Sequence, residues 1–215
     1  MHRVFLLLAA LSLVPDGLAQ PGSHPEGSAP VGWLAARGDD GRLAARPSLP
    51  GRSSVLEFSG AASLAAFHRA GVWLGNGFVE VRWKTPDIAT AARVGLLWRG
   101  EDLDNYSFCL TSISGDRVQG FRMTDGQVSN LEGAALRPKG SAPFSRGKWH
   151  TIRVEFRSRR FEVFIDGRKR FQGEDTAFAD PGGVGLVVER TGPLWFEGFR
   201  WGILPEPGGA VPDKK

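Results

Sequence analysis

The chain has 215 residues, one cysteine and a formal charge of +4 at pH 7 from 27 basic and 23 acidic side chains. A lone Cys109 excludes an internal disulfide, so stability in an oxidising compartment must come from packing. The charge excess is too small to name an anionic partner, and the sequence lacks helix-turn-helix, RNA-binding and basic amphipathic-helix patterns, so nucleic acid is not an expected partner.

Residues 1–19 read as a secretory signal peptide, with Arg3 before the apolar run 4–14 and small residues Gly17 and Ala19 at the cleavage positions. That run is much shorter than the roughly 20 residues a spanning helix needs, so no membrane insertion is expected and the location is secreted or periplasmic. Residues 20–30 have the Pro/Gly/Ser composition of a disordered leader, and 205–215 read as a disordered tail. Residues 31–204 then form one folded domain.

Within that domain almost every segment alternates apolar and polar residues, the period of a strand. Strands are expected at 32–36, 42–46, 54–58, 71–74, 78–84, 93–99, 105–111 and 117–123. Further strands follow at 127–131, 149–156, 160–165, 168–172, 184–189 and 194–201. Residues 61–70 (AASLAAFHRA) suit a helix but close quickly at Gly71, and read as a loop or single turn. Turn chemistry at Gly75-Asn76-Gly77, Asp125-Gly126, Asp166-Gly167 and Pro181-Gly182-Gly183 separates the strands. Many short strands without helices give an all-β fold, a two-sheet antiparallel jelly-roll sandwich with six or seven strands per sheet.

The stretch 148–171 carries the plainest pattern. His150, Ile152, Val154 and Phe156 share one face, as do Phe161, Val163 and Ile165 on the next strand, and Asp166-Gly167 turns the chain again. Its basic residues (Arg153, Arg157, Arg159, Arg160, Arg168, Lys169, Arg170) interleave with Glu155, Glu162 and Asp166, as on a solvated meander. Elsewhere Val79, Val81 and Trp83 share a face, as do Val94, Leu96 and Trp98, and Tyr106, Phe108 and Leu110. Glu80 and Arg82, Leu97 and Arg99, and Ser107 and Thr111 lie opposite them.

Several of these pieces resemble the concanavalin A-like lectin/glucanase superfamily. They are GKWHTIRV (147–154) with FEVFIDG (161–167), VGLLWR (94–99) leading to DNY (104–106), DTAFADPGGVGL (175–186) and WFEGFR (195–200). The nearest pattern is that of laminin-G-like and 3-keto-disaccharide hydrolase-type domains of secreted bacterial proteins. It covers 77–201 well and 31–60 poorly. The resemblance implies a two-sheet jelly roll with a concave face for carbohydrate or another extracellular ligand. It also leaves room for a structural Ca²⁺ at the sandwich edge, with Glu197 as a candidate ligand; no cofactor is otherwise expected.

The chain departs from the family's enzymes. Their E-x-D-x-x-E strand is absent, and Glu101-Asp102-Leu103-Asp104 does not replace it. The Asn-Ser-Gly run found in the hydrolase-type domains is missing where this chain reads VGLLW. Glu155 and Glu162 lie across a hairpin among arginines and read as salt-bridging. His24, His68 and His150 have no metal-ligand spacing, and no G-x-S-x-G elbow or phosphate loop occurs. No catalytic or metal-binding residue is therefore assigned. The candidate ligand-binding residues are Arg99, Asp104, Asn105, Tyr106 and Arg122, with Glu80 and Arg82 on a neighbouring strand. Arginine supplies forked donors to sugar hydroxyls or carboxylates, and an aromatic ring supplies a stacking surface. The expected function is a non-catalytic carbohydrate-binding module. A glycoside hydrolase and a purely structural or adhesive sandwich are the alternatives.

Overall fold

A computed structural model describes residues 33–36, 42–46, 55–59, 64–68, 72–85, 92–112, 117–135, 144–145, 147–178, 180–189 and 193–204. The segments 1–19, 20–30 and 205–215, expected to be a signal peptide, a leader and a tail, lie outside the described residues. The strands are β1 (Trp33–Ala36), β2 (Arg42–Arg46), β3 (Val55–Ser59), β4 (Leu64–His68), β5 (Gly77–Lys84), β6 (Arg93–Gly100), β7 (Tyr106–Ser112) and β8 (Val118–Thr124). They continue as β9 (Gln127–Asn130), β10 (Gly133–Ala135), β11 (His150–Arg157), β12 (Arg160–Ile165), β13 (Arg168–Glu174), β14 (Gly183–Glu189) and β15 (Leu194–Ile203).

They form two antiparallel sheets. Among the described residues one has seven strands in the order β1-β4-β14-β6-β7-β8-β9, and the other eight in the order β10-β13-β12-β11-β5-β15-β3-β2. The all-β sandwich expected from the alternation is thus observed, with one sheet a strand larger. Among the described residues no helix is long and apolar enough to cross a membrane.

Two local expectations are corrected. The 61–70 segment is not a loop, because Leu64–His68 is a strand held on both sides by β1 and β14. Its alanines carry no period of two, and the pairing on both edges overrides their helical preference. Conversely, 71–74 is not a full strand; among its described residues, 72–74, only Leu74 pairs, in an isolated bridge to Gly182.

The core lies between the inner faces. Val79, Val81 and Trp83 of β5, Ile152, Val154 and Phe156 of β11, and Phe161, Val163 and Ile165 of β12 meet Val94, Leu96 and Trp98 of β6 and Val184, Leu186 and Val188 of β14. Each such side chain removed from water contributes about 1.5–3 kcal/mol. Asp166 and Gly167 have φ of 49° and 72°, the left-handed pair that a two-residue hairpin turn requires, and Asp125-Gly126 repeats this at 48° and 74°.

The face of β7 is the reverse of the sequence reading. Leu97 pairs with Phe108 and Trp98 with Ser107, so the inward Trp98 carries Ser107 inward with it. Cys109 joins the core, while Tyr106, Phe108 and Leu110 form a second buried cluster with Leu97 and Val187 on the other side of the sheet. Apolar residues occupy both faces of β6, so periodicity could not choose between them; register did.

Burial pushes the Cys109 thiol up to about 12. Iodoacetamide is therefore expected to leave Cys109 unmodified in the folded protein and to alkylate it once urea unfolds the chain, as mass spectrometry would read.

Candidate functional site

The outer face of the eight-stranded sheet is a grid of charged side chains. On β5, Glu80 accepts from Arg153 of β11 at 3.2 Å and from Arg200 of β15 at 2.8 Å. Arg82 donates to Glu197 at 2.5 Å, and its guanidinium lies 5.4 Å from the Trp149 ring. Arg153 also reaches Glu155 at 2.8 Å and sits 3.8 Å above Phe78. Lys169 of β13 donates to Glu162 of β12. Pairs as exposed as these contribute at most about 1 kcal/mol each, so the grid is mainly a hydrogen-bonding surface rather than a source of stability.

At one corner the grid opens into a cleft of about 700 Å³ lined by Glu155, Arg157, Ser158, Arg159, Arg160, Glu162 and Glu174. Strand register explains the convergence. Glu155 stands directly opposite Glu162, Arg157 opposite Arg160, and Arg160 opposite Glu174. Residues scattered over 20 positions thereby share one outward face, with the Ser158-Arg159 turn at its end.

The turn is fixed from beneath. Arg99, at the end of β6, donates to the carbonyls of Ser158, of Gly75 at 3.1 Å and of Phe178 at 2.7 Å. Ser158 N–H donates to Asn76 Oδ1 at 2.7 Å, and Asp175 N–H donates to the Arg159 carbonyl at 2.7 Å. Ser158 and Arg99 adopt left-handed φ values of 48° and 52°, which costs each an estimated 1 kcal/mol or so and persists because these bonds dictate it.

Behind Arg99 lies Asp175, fully buried. Its carboxylate accepts from Arg122 Nη2 at 2.6 Å and Nε at 3.1 Å, from the Ser107 hydroxyl, and from the Ala177 amide at 3.1 Å. Burial pulls the Arg99 guanidinium below its usual value, and the charge of Asp175 opposes that shift. The network closes one end of the sandwich by tying β6, β7 and β8 of one sheet to the β11–β12 turn of the other.

The seven sequence candidates therefore fall in separate places. Arg99 and Arg122 share the Asp175 network; Arg99 is 1% exposed, so it braces the turn from inside the protein. Asp104 and Asn105 lie in the β6–β7 loop, where Asn105 Nδ2 donates to Asp102 at 3.0 Å and its Oδ1 accepts from Asp125 N–H at 3.0 Å. This stitches the loop to the β8–β9 turn. Tyr106 is 3% exposed in the second cluster, 5.5 Å from Phe108, so it offers no open stacking face. Glu80 and Arg82 do face outward, on the grid that leads to the cleft. Glu197, the calcium candidate, is paired with Arg82; among the described residues no group of three or more His, Cys, Asp or Glu is placed to hold a metal.

The sequence reading missed Arg159, Arg160 and Glu174 as a group. The signal was present in the interleaved charges of 153–174, yet only strand pairing turns that interleaving into one surface.

No protein-family model matches the sequence, and no curated protein matches it. Solved structures do. The carbohydrate-binding module CBM66 from Bacillus subtilis superposes with a TM-score of 0.61 at 18% identity, covering 79% of this chain and 94% of its own. A Bacillus subtilis protein of unknown function with a galectin-like fold gives 0.54 at 10% identity, covering 79% and 88%. The fold is an all-β sandwich of two antiparallel sheets, like those of these two proteins. Identities this low establish architecture alone, and the chemistry of the surface has to be argued from the residues of this chain.

Proposed function

We propose that the protein is a secreted or periplasmic, non-catalytic module that binds carbohydrate on the outer face of its eight-stranded sheet. The observation that carries this reading is the corner cleft, whose charged side chains stand on β11, β12 and β13 around a turn braced by Arg99, Asn76 and Asp175. Sugars present closely spaced hydroxyls that both donate and accept, and glutamate and arginine side by side on a fixed frame answer both roles. Trp73 adds to this. It is 61% exposed and lies three residues before Asn76, which binds the turn, so the same end of the sandwich offers an aromatic ring. The likeness of the fold to that of a carbohydrate-binding module supports the reading.

One observation favours a second reading, glycoside hydrolysis: Glu155 and Glu162 face each other across β11 and β12. Directly opposed residues have Cβ atoms about 4.5–5.5 Å apart, close enough for their carboxyl groups to reach the spacing of a retaining pair. Each, however, is already held by a cation of the grid, Glu155 by Arg153 and Glu162 by Lys169. That arrangement suits a binding surface better than an acid and nucleophile pair.

A glycan array followed by hydrolysis assays on every hit separates the readings. Binding without turnover is the expected result. Turnover that disappears in E155Q or E162Q would move the assignment to a hydrolase. Failure to bind any glycan would leave a structural sandwich. Export is checked separately, by finding the mature chain outside the cytoplasm without residues 1–19.

A further inference from the structure

The ion-pair pattern of the cleft says more about its ligand, and this step rests on the carbohydrate-binding reading. The cleft's acids are each matched by a cation. Glu155 holds Arg153 and Glu162 holds Lys169, and both cations come from the face beyond the cleft. Glu174 meets Arg160 at 3.4 Å in a pair whose arginine is 83% exposed and whose carboxylate is 59% exposed. A contact so long and so hydrated contributes little and exchanges easily for another anion. Among the described residues the Arg159 guanidinium has no partner at all, because only its carbonyl is engaged, by Asp175 N–H. The lining itself is balanced, with Glu155, Glu162 and Glu174 against Arg157, Arg159 and Arg160; because Arg153 and Lys169 from outside already neutralise two of those glutamates, the charge left at the solvent edge is positive, presented by Arg159 and Arg160.

The shape adds a second constraint. A further recess of about 420 Å³ shares Arg160, Glu162 and Glu174 with the cleft and extends over Gln172 and Gly173 of β13. Together they make a groove running across β11, β12 and β13. Its glutamates accept hydrogen bonds and its arginines donate to anions. The fitting ligand is a chain that carries hydroxyl donors and anionic groups together.

We infer that this groove binds an acidic polysaccharide, with its anionic groups held by Arg159 and Arg160 and its hydroxyls by Glu155, Glu162 and Glu174. Carboxylate and sulfate groups share this chemistry, since both accept two parallel bonds from a guanidinium.

Affinity electrophoresis and calorimetry with polygalacturonate, dextran sulfate and a neutral β-1,3-glucan test the inference. The wild-type chain is expected to bind at least one of the two anionic polymers and to bind the neutral glucan at least tenfold more weakly, which is about the contribution of one charged hydrogen bond. Whichever anionic polymer binds identifies the group recognised. Arg159→Ala keeps the backbone carbonyl that the fold uses and should weaken binding by about tenfold or more without moving the melting temperature. Lys148→Ala is the charge-matched control. It lies just before the start of β11, whereas the cleft is at that strand's other end, and it should change affinity by less than about twofold. Equal losses in R159A and K148A would mean attraction to net charge, overturning the inference. Equal binding of neutral and acidic polymers would overturn it while leaving the carbohydrate reading intact. Binding of none of the three, on a chain that also fails the glycan array, would remove both.

Discussion

Replacing Asp175 with alanine is expected to cost about 3–5 kcal/mol of folding stability, the penalty for breaking a buried ion pair from one side. The carboxylate is fully buried and accepts from Arg122, Ser107 and the Ala177 amide. Removing it leaves the buried guanidinium of Arg99 with no counter-charge in the network and strands the Ser107 hydroxyl in the interior. Asp175→Asn keeps an acceptor and a similar volume, so it should lose less than the alanine variant. Urea unfolding of the three chains reads the order directly. If D175A were as stable as the wild type, the network would not brace the end of the sandwich. The same variant should also bind glycan more weakly, because the β11–β12 turn loses the frame that aims Arg159 and Arg160.

Gly95→Ala should be more damaging still. A Cβ at this position would lie 1.6 Å from the Cys109 carbonyl oxygen and 2.7 Å from its carbon. Both are backbone atoms of the neighbouring strand, so no side chain can rotate away. Relief would require β6 to separate from β7, with β14 paired along its other edge. A loss above about 4 kcal/mol, or failure to accumulate soluble protein, is expected. Gly198→Ala is the natural comparison. There φ is 62° and nothing lies within 4 Å of the added carbon, so only conformational strain of about 1–2 kcal/mol applies. Thermal melts in which G95A matched G198A would contradict the close approach of β6 and β7.

The sandwich was legible where one face of a strand is apolar and the other is charged. β5, β11 and β12 have that form, and Asp166-Gly167 announced its own turn. It was not legible in β4, whose alanines carry no period and whose structure is decided by the two strands that flank it. Nor was the orientation of β7, because β6 offers apolar residues to both sides and pairing of Trp98 with Ser107 makes the choice.

The candidate site divides in a similar way. Arg99 and Arg122 were visible as arginines at strand ends, but a sequence does not show that both gather around Asp175, which comes from a loop more than 50 residues later. Arg159, Arg160 and Glu174 were visible as charges on what looked like a solvated meander. Their meeting in one cleft depends on the register of three strands. Tyr106 looked like a stacking ring until the register turned it into the second cluster.

Carbohydrate binding at the corner of the eight-stranded sheet, by the β11–β12 turn, is tested most directly by an NMR titration with an oligosaccharide taken from the glycan array. The largest amide shifts are expected at 157–162 and 172–174, and they should be lost in R159A. Shifts confined to the β6–β7 loop around Asn105, or spread over the other sheet with 157–162 unmoved, would contradict it.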